Sequence, residues 1–230
     1  MPRLVVASIL ALCISACGLI SSDVTETSFD LPPRMYSFDA STFNAPPGIA
    51  SEVPCGVAPV ADCCNPTPPL PAPDCSATPL TCEQNENGMM VCTATVPVSQ
   101  GSPINLGQEV PALSGFTGVV NIKIKRIGYT VTTNTLNIDL PDVVLYLAAQ
   151  GVTDPADPSA RKFGTLPAIA AGTTAVGDVI LEPDAGTVFN SFAQNLSTPF
   201  SFIAATTLRV THSPTGKIDL TISGKLAASL

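Results

Sequence analysis

The stretch FSFIAATTLRV (200–210), the turn SPTG (213–216) and the stretch KIDLTISGKLAASL (217–230) together decide the fold of this chain. Side chains alternate between the two sides of a β-strand, so apolar residues at every second position predict a strand with one buried face. The buried set of the first stretch is Phe200, Phe202, Ala204, Thr206, Leu208 and Val210. The buried set of the second is Ile218, Leu220, Ile222, Leu226, Ala228 and Leu230, with Lys217, Asp219, Thr221, Ser223 and Lys225 facing water. We therefore predict two long strands at the end of the chain.

The same alternation occurs earlier in the sequence. It predicts strands at Met90–Val98, Val120–Val131 and Leu136–Leu140, with a turn at Thr133-Asn134 before the last of them. The apolar phase shifts by one residue within the middle stretch. A shift of one residue moves the apolar set to the other face, so it indicates a β-bulge near Lys125-Arg126.

The stretch VVLYLA (143–148) is apolar at every position. A strand without a polar face is typical of a central or covered position in a sheet, and we expect that here. Further strands are predicted at FGTLPAI (163–169) and at Val176–Leu181, on either side of the turn Ala170-Ala171-Gly172.

One segment shows a helical period instead. Between Pro183 and Leu196, the apolar residues Val188, Phe189 and Phe192 stand three and four positions apart. This spacing predicts one short amphipathic helix, with Asp184 or Thr187 as its N-cap.

Several short strands separated by turn signals favour an all-β fold. We expect an Ig-like antiparallel β-sandwich of about seven to eight strands with one short helix, preceded by a signal peptide and a Pro/Cys-rich, disulfide-linked insertion. The predicted boundaries are 1–16 for the signal peptide, 17–47 for a tether with a possible first edge strand, 48–88 for the Pro/Cys-rich segment and 89–230 for the sandwich.

The first residues have the parts of an export signal. Arg3 is followed by the apolar run Leu4–Ile14, which is too short to span about 30 Å of hydrocarbon as a helix. The residues Ile14-Ser15-Ala16-Cys17 then resemble the lipobox of bacterial lipoprotein signals. The resemblance implies cleavage after Ala16 and acylation of Cys17, which would bind the chain to a membrane through its acyl chains. Gly18 after the cysteine favours the outer membrane, and the alternative is a plain secretory signal with a chance cysteine.

The tether continues into a possible first strand. Phe29 and Leu31 alternate with polar residues, Pro32-Pro33 interrupts, and Tyr36 and Phe38 alternate again. Proline cannot donate a backbone hydrogen bond, so we expect this segment at a sheet edge.

Six cysteines cluster in the segment that follows. They are Cys55, Cys63, Cys64, Cys75, Cys82 and Cys92. An even number of clustered cysteines in an exported chain predicts disulfides. Six cysteines allow fifteen connectivities, and we set aside those that join the neighbours Cys63 and Cys64. A metal site is the alternative, but the segment lacks histidine and the CxxC pairs of a zinc site.

The composition limits the possible partners. Only 12% of residues are charged and the net charge is −8. A negative chain with few cations is a poor match for nucleic acid, so we expect no nucleic-acid partner. The chain has no tryptophan and one histidine, His212, which restricts acid–base and metal chemistry.

Catalytic and metal motifs are weak. His212 lies beside a Ser-Pro turn without a G-x-S-x-G motif, so we expect an exposed turn residue and not part of a triad. Asp154 and Asp157, with Asp142 or Asp184, are candidate calcium ligands, although they lack EF-hand spacing. Asp-Pro is also an ordinary start of a turn. We expect no catalytic residue, no metal and no cofactor, while a pair of catalytic carboxylates stays open because its separation is spatial.

Two wider resemblances concern most of the chain and its C-terminal segment. The lipobox, FDLPPRMYSFDAS (29–41), the Cys-rich insert, IGYTVTTNTLNIDLP (127–141) and PTGKIDLTISG (214–224) are similar to a set of uncharacterised bacterial cell-envelope lipoproteins, for which no activity is implied. The predicted sandwich segment 89–230, with TTNTL (132–136) and GKIDLTISG (216–224), resembles the Ig-like sandwich of late-embryogenesis-abundant proteins of the WHy type. That resemblance implies a sandwich fold and no particular function.

The sequence is compatible with three functions. The first is a lipid-anchored envelope protein with a non-enzymatic binding, adhesion or structural role. The second is a carrier of a hydrophobic ligand or lipid in a cavity between the sheets, suggested by VVLYLA and by Phe189 and Phe192. The third is a carboxylate-dependent hydrolase.

Overall fold

The computed structural model describes residues 26–46, 49, 52–56, 63–64, 80–85, 87–113 and 121–229, which form two antiparallel β-sheets packed as a sandwich. The all-β prediction is confirmed, with ten strands among these residues where about seven to eight were expected. The strands are β1 (Thr27–Asp39), β2 (Leu80–Gln84), β3 (Met90–Ile104), β4 (Asn121–Asn134), β5 (Val143–Ala149), β6 (Arg161–Leu166), β7 (Val176–Asp178), β8 (Ile180–Leu181), β9 (Phe200–Val210) and β10 (Lys217–Ser229).

The two sheets differ in size. One has four strands in the order β1-β10-β4-β7, and the other has six in the order β2-β3-β9-β5-β6-β8. The two long strands that end the chain therefore belong to different sheets. The SPTG turn between them crosses from one layer of the sandwich to the other.

Two irregularities lie where the sequence places them. The register of β4 with β10 shifts at Lys125, because Arg126 pairs with Lys225 while Ile124 pairs with Leu226. The β-bulge prediction is confirmed. Strand β1 is an edge strand, and its register with β10 shifts across Pro32-Pro33, as the two prolines predict.

One strand prediction is wrong, and a second is confirmed only in part. The segment Leu136–Leu140 forms no strand and has only one isolated bridge, between Leu140 and Ile169. Its alternating side chains are buried all the same, because the segment crosses the end of the sandwich between β4 and β5. The side chain of Asn134 satisfies backbone groups there, donating to Ala170 O and Thr173 O and accepting from Leu136 N.

The predicted strand Val176–Leu181 is divided between the sheets. Its first part, β7, pairs with β4, and its second part, β8, pairs with β6. Val179 lies between the two parts and is buried in the core. The strand thus closes one side of the sandwich by changing sheets.

The predicted short helix is present as α2 (Ala185–Ala193, the second of two helices), with Asp184 at its N-cap position. The other helix, α1 (Leu106–Glu109), was not expected; it is capped by Asn105, whose Oδ1 accepts from Gln108 N. Helix α2 buries Phe189 against the six-stranded sheet.

The core between the sheets is filled by aliphatic and aromatic side chains. The ring of Phe163 lies 6.2 Å from that of Phe189 and 5.6 Å from that of Phe202, measured between centroids. Tyr36 Oη donates to Phe202 O at 3.0 Å and so joins β1 to the opposite sheet. Burial raises the pKa of Tyr36, so the phenol stays protonated and remains a donor.

Candidate binding groove on the six-stranded sheet

The candidate site lies on strand β5, which has apolar side chains on both of its faces. Its inner face, with Leu145 and Leu147, lies in the main core. Its outer face carries Val144, Tyr146 and Ala148, which point away from the four-stranded sheet. Strand β5 lies between β9 and β6, so the prediction of a central strand is confirmed.

A second, smaller apolar cluster lies on this outer face. It consists of Ala148, Ile203 and Ala205, with Tyr146, Val152 and Ala160 packed against it. Ile203 is fully buried although its side chain faces outward, because the loop 150–160 folds back over the sheet. Gly151 N donates to Ser201 Oγ at 3.0 Å and fixes the start of this loop on β9.

Aspartates fix the turns of the loop. Asp154 Oδ1 accepts from Ala156 N at 2.9 Å, and Asp157 Oδ1 accepts from Ser159 Oγ and Ser159 N. The hydroxyl and the N–H of Ser159 hold the pKa of Asp157 below its usual value. The two carboxylates therefore have the ordinary turn role of Asp-Pro sequences.

The calcium hypothesis gains no support from the part of the chain that the structure describes. No three carboxylates converge there; the only group of three candidate ligands is Cys55, Cys63 and Cys92. Asp142 lies by the same groove as Asp154, but its Oδ1 accepts from Ala168 N at 2.8 Å.

Beside the loop lies an open cleft of about 710 Å³, which we call the Tyr146 groove. Its floor is the outer face of β3, β9 and β5, and its walls are the loop 150–160 and the segment that leads into β5. Its lining consists of Pro97, Val98, Ser99, Pro141, Asp142, Val144, Tyr146, Asp154, Pro155, Ala168, Ala205, Thr206 and Thr207.

The lining combines an apolar floor with a few polar groups. Tyr146 is the one aromatic residue of the lining, and it is half-buried. Asp142, Asp154, Ser99 and Thr207 are exposed, and none of the lining residues is a cation. A mainly apolar concavity with a few oriented polar groups is the usual form of a ligand site.

A second cleft, of about 640 Å³, adjoins the groove, and Pro141 lines both. It is mostly polar and includes His212, Arg209 and Asn137. His212 is half-buried at the turn after β9 and lies 3.4 Å from Thr211 Oγ1, while Ser213 Oγ donates to Ile49 O. His212 thus has turn contacts, and within the described ranges no side-chain hydrogen bond joins it to a serine or an aspartate.

The predicted disulfide cysteines lie at one end of the six-stranded sheet. Cys55 is bonded to Cys82, and Cys63 is bonded to Cys92. Cys64 is also disulfide-bonded. The disulfide prediction is confirmed for these cysteines, which also explains why three of them lie close enough to suggest a metal site. Cys17 and Cys75 lie outside the described residues.

The features that suggested a carrier both have packing roles. The inner face of VVLYLA lies in the main core and its outer face lies under the loop 150–160. Phe189 is fully buried against Phe163 and Phe200. The clefts found in the described part of the chain lie at the surface and open to solvent.

No sequence pattern predicts the groove. Tyr146 is visible in the sequence only as one residue of an apolar run. Pro97 and Thr207 come from two other strands that the sheet order brings next to it. Two features of the sequence could have indicated the groove. The residues 143–148 are apolar on both strand faces, so the outer face must be covered by another part of the chain, and the nearby Asp-Pro loop could provide that cover.

The described residues include no helix long and apolar enough to cross a membrane. No protein family and no characterised protein of similar sequence matches the chain. Solved structures that resemble it include the decameric BFDV capsid protein, at 9% identity and a TM-score of 0.33, covering 89% of this chain and 99% of that one. Desmodium yellow mottle tymovirus has 13% identity and a TM-score of 0.26, covering 72% and 95%. Turnip yellow mosaic virus at 100 K has 14% identity and a TM-score of 0.23, covering 60% and 92%. At such low TM-scores these likenesses carry no argument about this chain.

Proposed function

We propose that this protein is a lipid-anchored, non-enzymatic binding protein of the bacterial cell envelope, attached through Cys17 to the outer membrane. The observation that carries the binding role is the Tyr146 groove, an open cleft with an apolar floor and oriented polar rim groups on an outer sheet face. Such a face is normally either solvated or covered, and here the loop 150–160 covers only part of it.

The anchoring part of the proposal is supported by the lipobox-like sequence and by the cysteine distribution. Cys17 is separated by 38 residues from Cys55, the next cysteine, and the later cysteines are even in number. A lipid on Cys17 leaves an even set for disulfides, whereas a structural thiol at Cys17 would leave one cysteine over.

The anchor would keep the domain near the bilayer. Strand β1 begins at Thr27. The chain from Cys17 to Thr27 can span at most about 35 Å even when fully extended. The binding face would therefore work within a molecular diameter or so of the membrane surface.

Expression of the full chain in a Gram-negative bacterium tests the proposed location and membrane attachment. We expect the chain in the outer-membrane fraction, with an N-terminal peptide that starts at Cys17 and carries acyl mass. Cys17→Ser should move the protein to the soluble fraction. Cys13→Ser, in the predicted signal peptide, is the matched control and should leave acylation unchanged. A mature wild-type chain that is soluble and unmodified at Cys17 would contradict the proposal.

A further inference from the structure

We infer that the ligand of the Tyr146 groove is a neutral glycan chain. This inference rests on the proposed binding role and names the ligand class for the same site. It follows from five properties of the groove: its charge, the orientation of its carboxylates, the aromatic residue in its floor, the backbone hydrogen bonding of the strands beneath it, and its shape.

The charge of the lining disfavours anionic ligands. Asp142 and Asp154 are carboxylates, and among the described residues no lysine, arginine or histidine lines the groove. Lys162, which lies opposite Tyr146 on β6, is already ion-paired with Glu182. A phosphate, a sulfated polymer or a nucleic acid would therefore meet like charges beside a cation that already has a partner. A neutral or cationic ligand fits this lining better.

The carboxylates are oriented by the protein itself. Asp142 Oδ1 is held by Ala168 N, and Asp154 Oδ1 is held by Ala156 N. Each bond to a backbone N–H fixes the side chain and leaves the second carboxylate oxygen as an acceptor. An ionised carboxylate only accepts hydrogen bonds, so the ligand must bring donors. The hydroxyls of Ser99 and Thr207 can both donate and accept, which suits the many hydroxyls of a sugar.

The floor offers an apolar surface beside these polar groups. Tyr146 is half-buried, and Val144 and Ala205 line the groove with it. An aromatic residue with an apolar body and a polar tip is suited to a ligand that has both C–H faces and hydroxyl edges. A sugar ring has this combination, whereas a simple cation has no apolar face.

A peptide is a poorer fit. Strand β9 pairs with β3 on one side and with β5 on the other, so its backbone groups are already used within the sheet. A peptide lying across this face could not add a strand. Its own N–H and C=O groups would lose water without gaining backbone partners, which costs free energy. The polar groups of a glycan are hydroxyls, which the carboxylates and hydroxyls of the rim can satisfy.

The shape favours a chain over a single sugar. The groove opens to solvent, and the polar cleft that shares Pro141 continues it toward Asn137 and Arg209, whose guanidinium is ion-paired with Glu83. A ligand of several sugar units could lie along both clefts, with the ring nearest Tyr146 making the apolar contact.

The test uses the whole mature chain, residues 17–230, with Cys17→Ser to keep it soluble, produced in an oxidising compartment. The probes are dextran, laminarin and mannan as neutral polysaccharides, heparin as a polyanion and a proline-rich cationic peptide. Retardation in native gels containing each polysaccharide, and calorimetric titration with the peptide, measure binding. We expect at least one of the neutral polysaccharides to bind and heparin not to bind.

Variants locate the binding. Tyr146→Ala should weaken binding about tenfold or more, and Tyr146→Phe should retain it. Asp142→Asn keeps the acceptor for Ala168 N but replaces the second oxygen with a donor, so it should weaken binding by about threefold or more. Thr130→Ala, on the outer face of the other sheet, is the matched control. Thermal unfolding of each variant checks that the fold is retained.

The outcomes separate this inference from the proposed function. Binding of the peptide alone, lost in Tyr146→Ala, would overturn the glycan and keep a binding groove. Failure of all probes, or glycan binding that Tyr146→Ala does not change, would overturn the inference, while acylation at Cys17 is measured independently. Release of new reducing ends from a bound polysaccharide would contradict the non-enzymatic role.

Discussion

Gly216 lies in the turn that connects β9 of one sheet to β10 of the other, and this turn requires glycine. It adopts a φ of 84°, in the left-handed region that favours glycine, just before β10. Its carbonyl accepts from Ala40 N at 2.9 Å, and a Cβ at this position would overlap the carbonyl of Thr135. The turn therefore needs glycine both for its backbone angle and for space.

We predict that Gly216→Ala lowers the free energy of unfolding by roughly 3 kcal/mol or more, because left-handed strain adds to a backbone clash. Gly151→Ala is the matched control, since Gly151 has a φ of 82° with open space around the Cβ position. Gly151→Ala should lower the free energy of unfolding by about 1 kcal/mol, because it adds the left-handed backbone strain without a clash. Urea unfolding measures both, and equal losses would show that contact with Thr135 is unimportant.

Asp219 connects two strands of the four-stranded sheet through its charge. Lys217 Nζ lies 2.8 Å from Asp219 Oδ2, and Ser37 Oγ donates to Oδ1 at 2.6 Å. The ammonium of Lys217, followed by the Ser37 hydroxyl, holds the pKa of Asp219 below its usual value. The same carboxylate raises the pKa of Lys217.

This gives a pH dependence with a defined sign. A lowered folded-state pKa means that the carboxylate contributes stability above its unfolded pKa of about 4 and loses that contribution as the pH falls through the folded value. We predict that Asp219→Asn unfolds at lower urea concentration than the wild type at pH 6, and that the difference disappears toward pH 2. Added salt should reduce the difference at pH 6, since Lys217 is half-exposed. A difference that stays constant from pH 6 to pH 2 would contradict the ionic origin.

At the level of elements, the disulfides attach a poorly hydrophobic segment to the sandwich. Cys92 lies on β3 and Cys82 lies opposite it on β2, yet each is bonded to a cysteine from before the hairpin. Cys63 and Cys92 are fully buried, whereas Cys82 is half-buried. The Pro-rich segment is therefore tied to the sheet at two neighbouring points.

We predict that the double variant Cys63→Ser/Cys92→Ser loses roughly 2–4 kcal/mol of stability, as expected for a bond that closes a loop of this size. Cys55→Ser/Cys82→Ser is the matched control, because its sequence separation of 27 is close to the 29 of the buried pair. The Cys63→Ser/Cys92→Ser variant should lose more stability than this control, because its serine hydroxyls would lie in the core. Urea unfolding under non-reducing conditions compares the two, and a larger loss for the control pair would contradict this ranking.

The bulge in β4 was predictable from local sequence, whereas the division between β7 and β8 was not. A single extra residue at Lys125 shifts the alternation of apolar and polar residues by one position, and this shift is visible in the sequence. The division at Val179 does not change the sequence pattern, because the residues on both sides of it are compatible with a strand. Only the positions of β4 and β6 decide which sheet each part joins.

At the level of the whole molecule, the two outer faces differ in kind. The outer face of the four-stranded sheet carries polar residues such as Thr130 and Thr221, with Met35 and Val176 beside them as separate exposed apolar side chains and no loop of the described residues over them. The outer face of the six-stranded sheet buries Ile203 and Ala205 under the loop 150–160 and leaves Tyr146 beside it. This asymmetry is what assigns the candidate binding role to one side of the sandwich.

The all-β class, the long terminal strands, the bulge, the edge position of β1 and the disulfide-forming cysteines were all determined by the sequence itself. Each rests on local chemistry: side-chain alternation, the missing N–H of proline, or the clustering of an even number of cysteines. The sheet order, the covering of Ile203 and the assembly of the Tyr146 groove were decided only by the tertiary structure. They depend on contacts between residues far apart in the chain, such as Pro97, Tyr146 and Thr207. No local pattern encodes those contacts, because the same alternating strand can pair with several partners and bury either face.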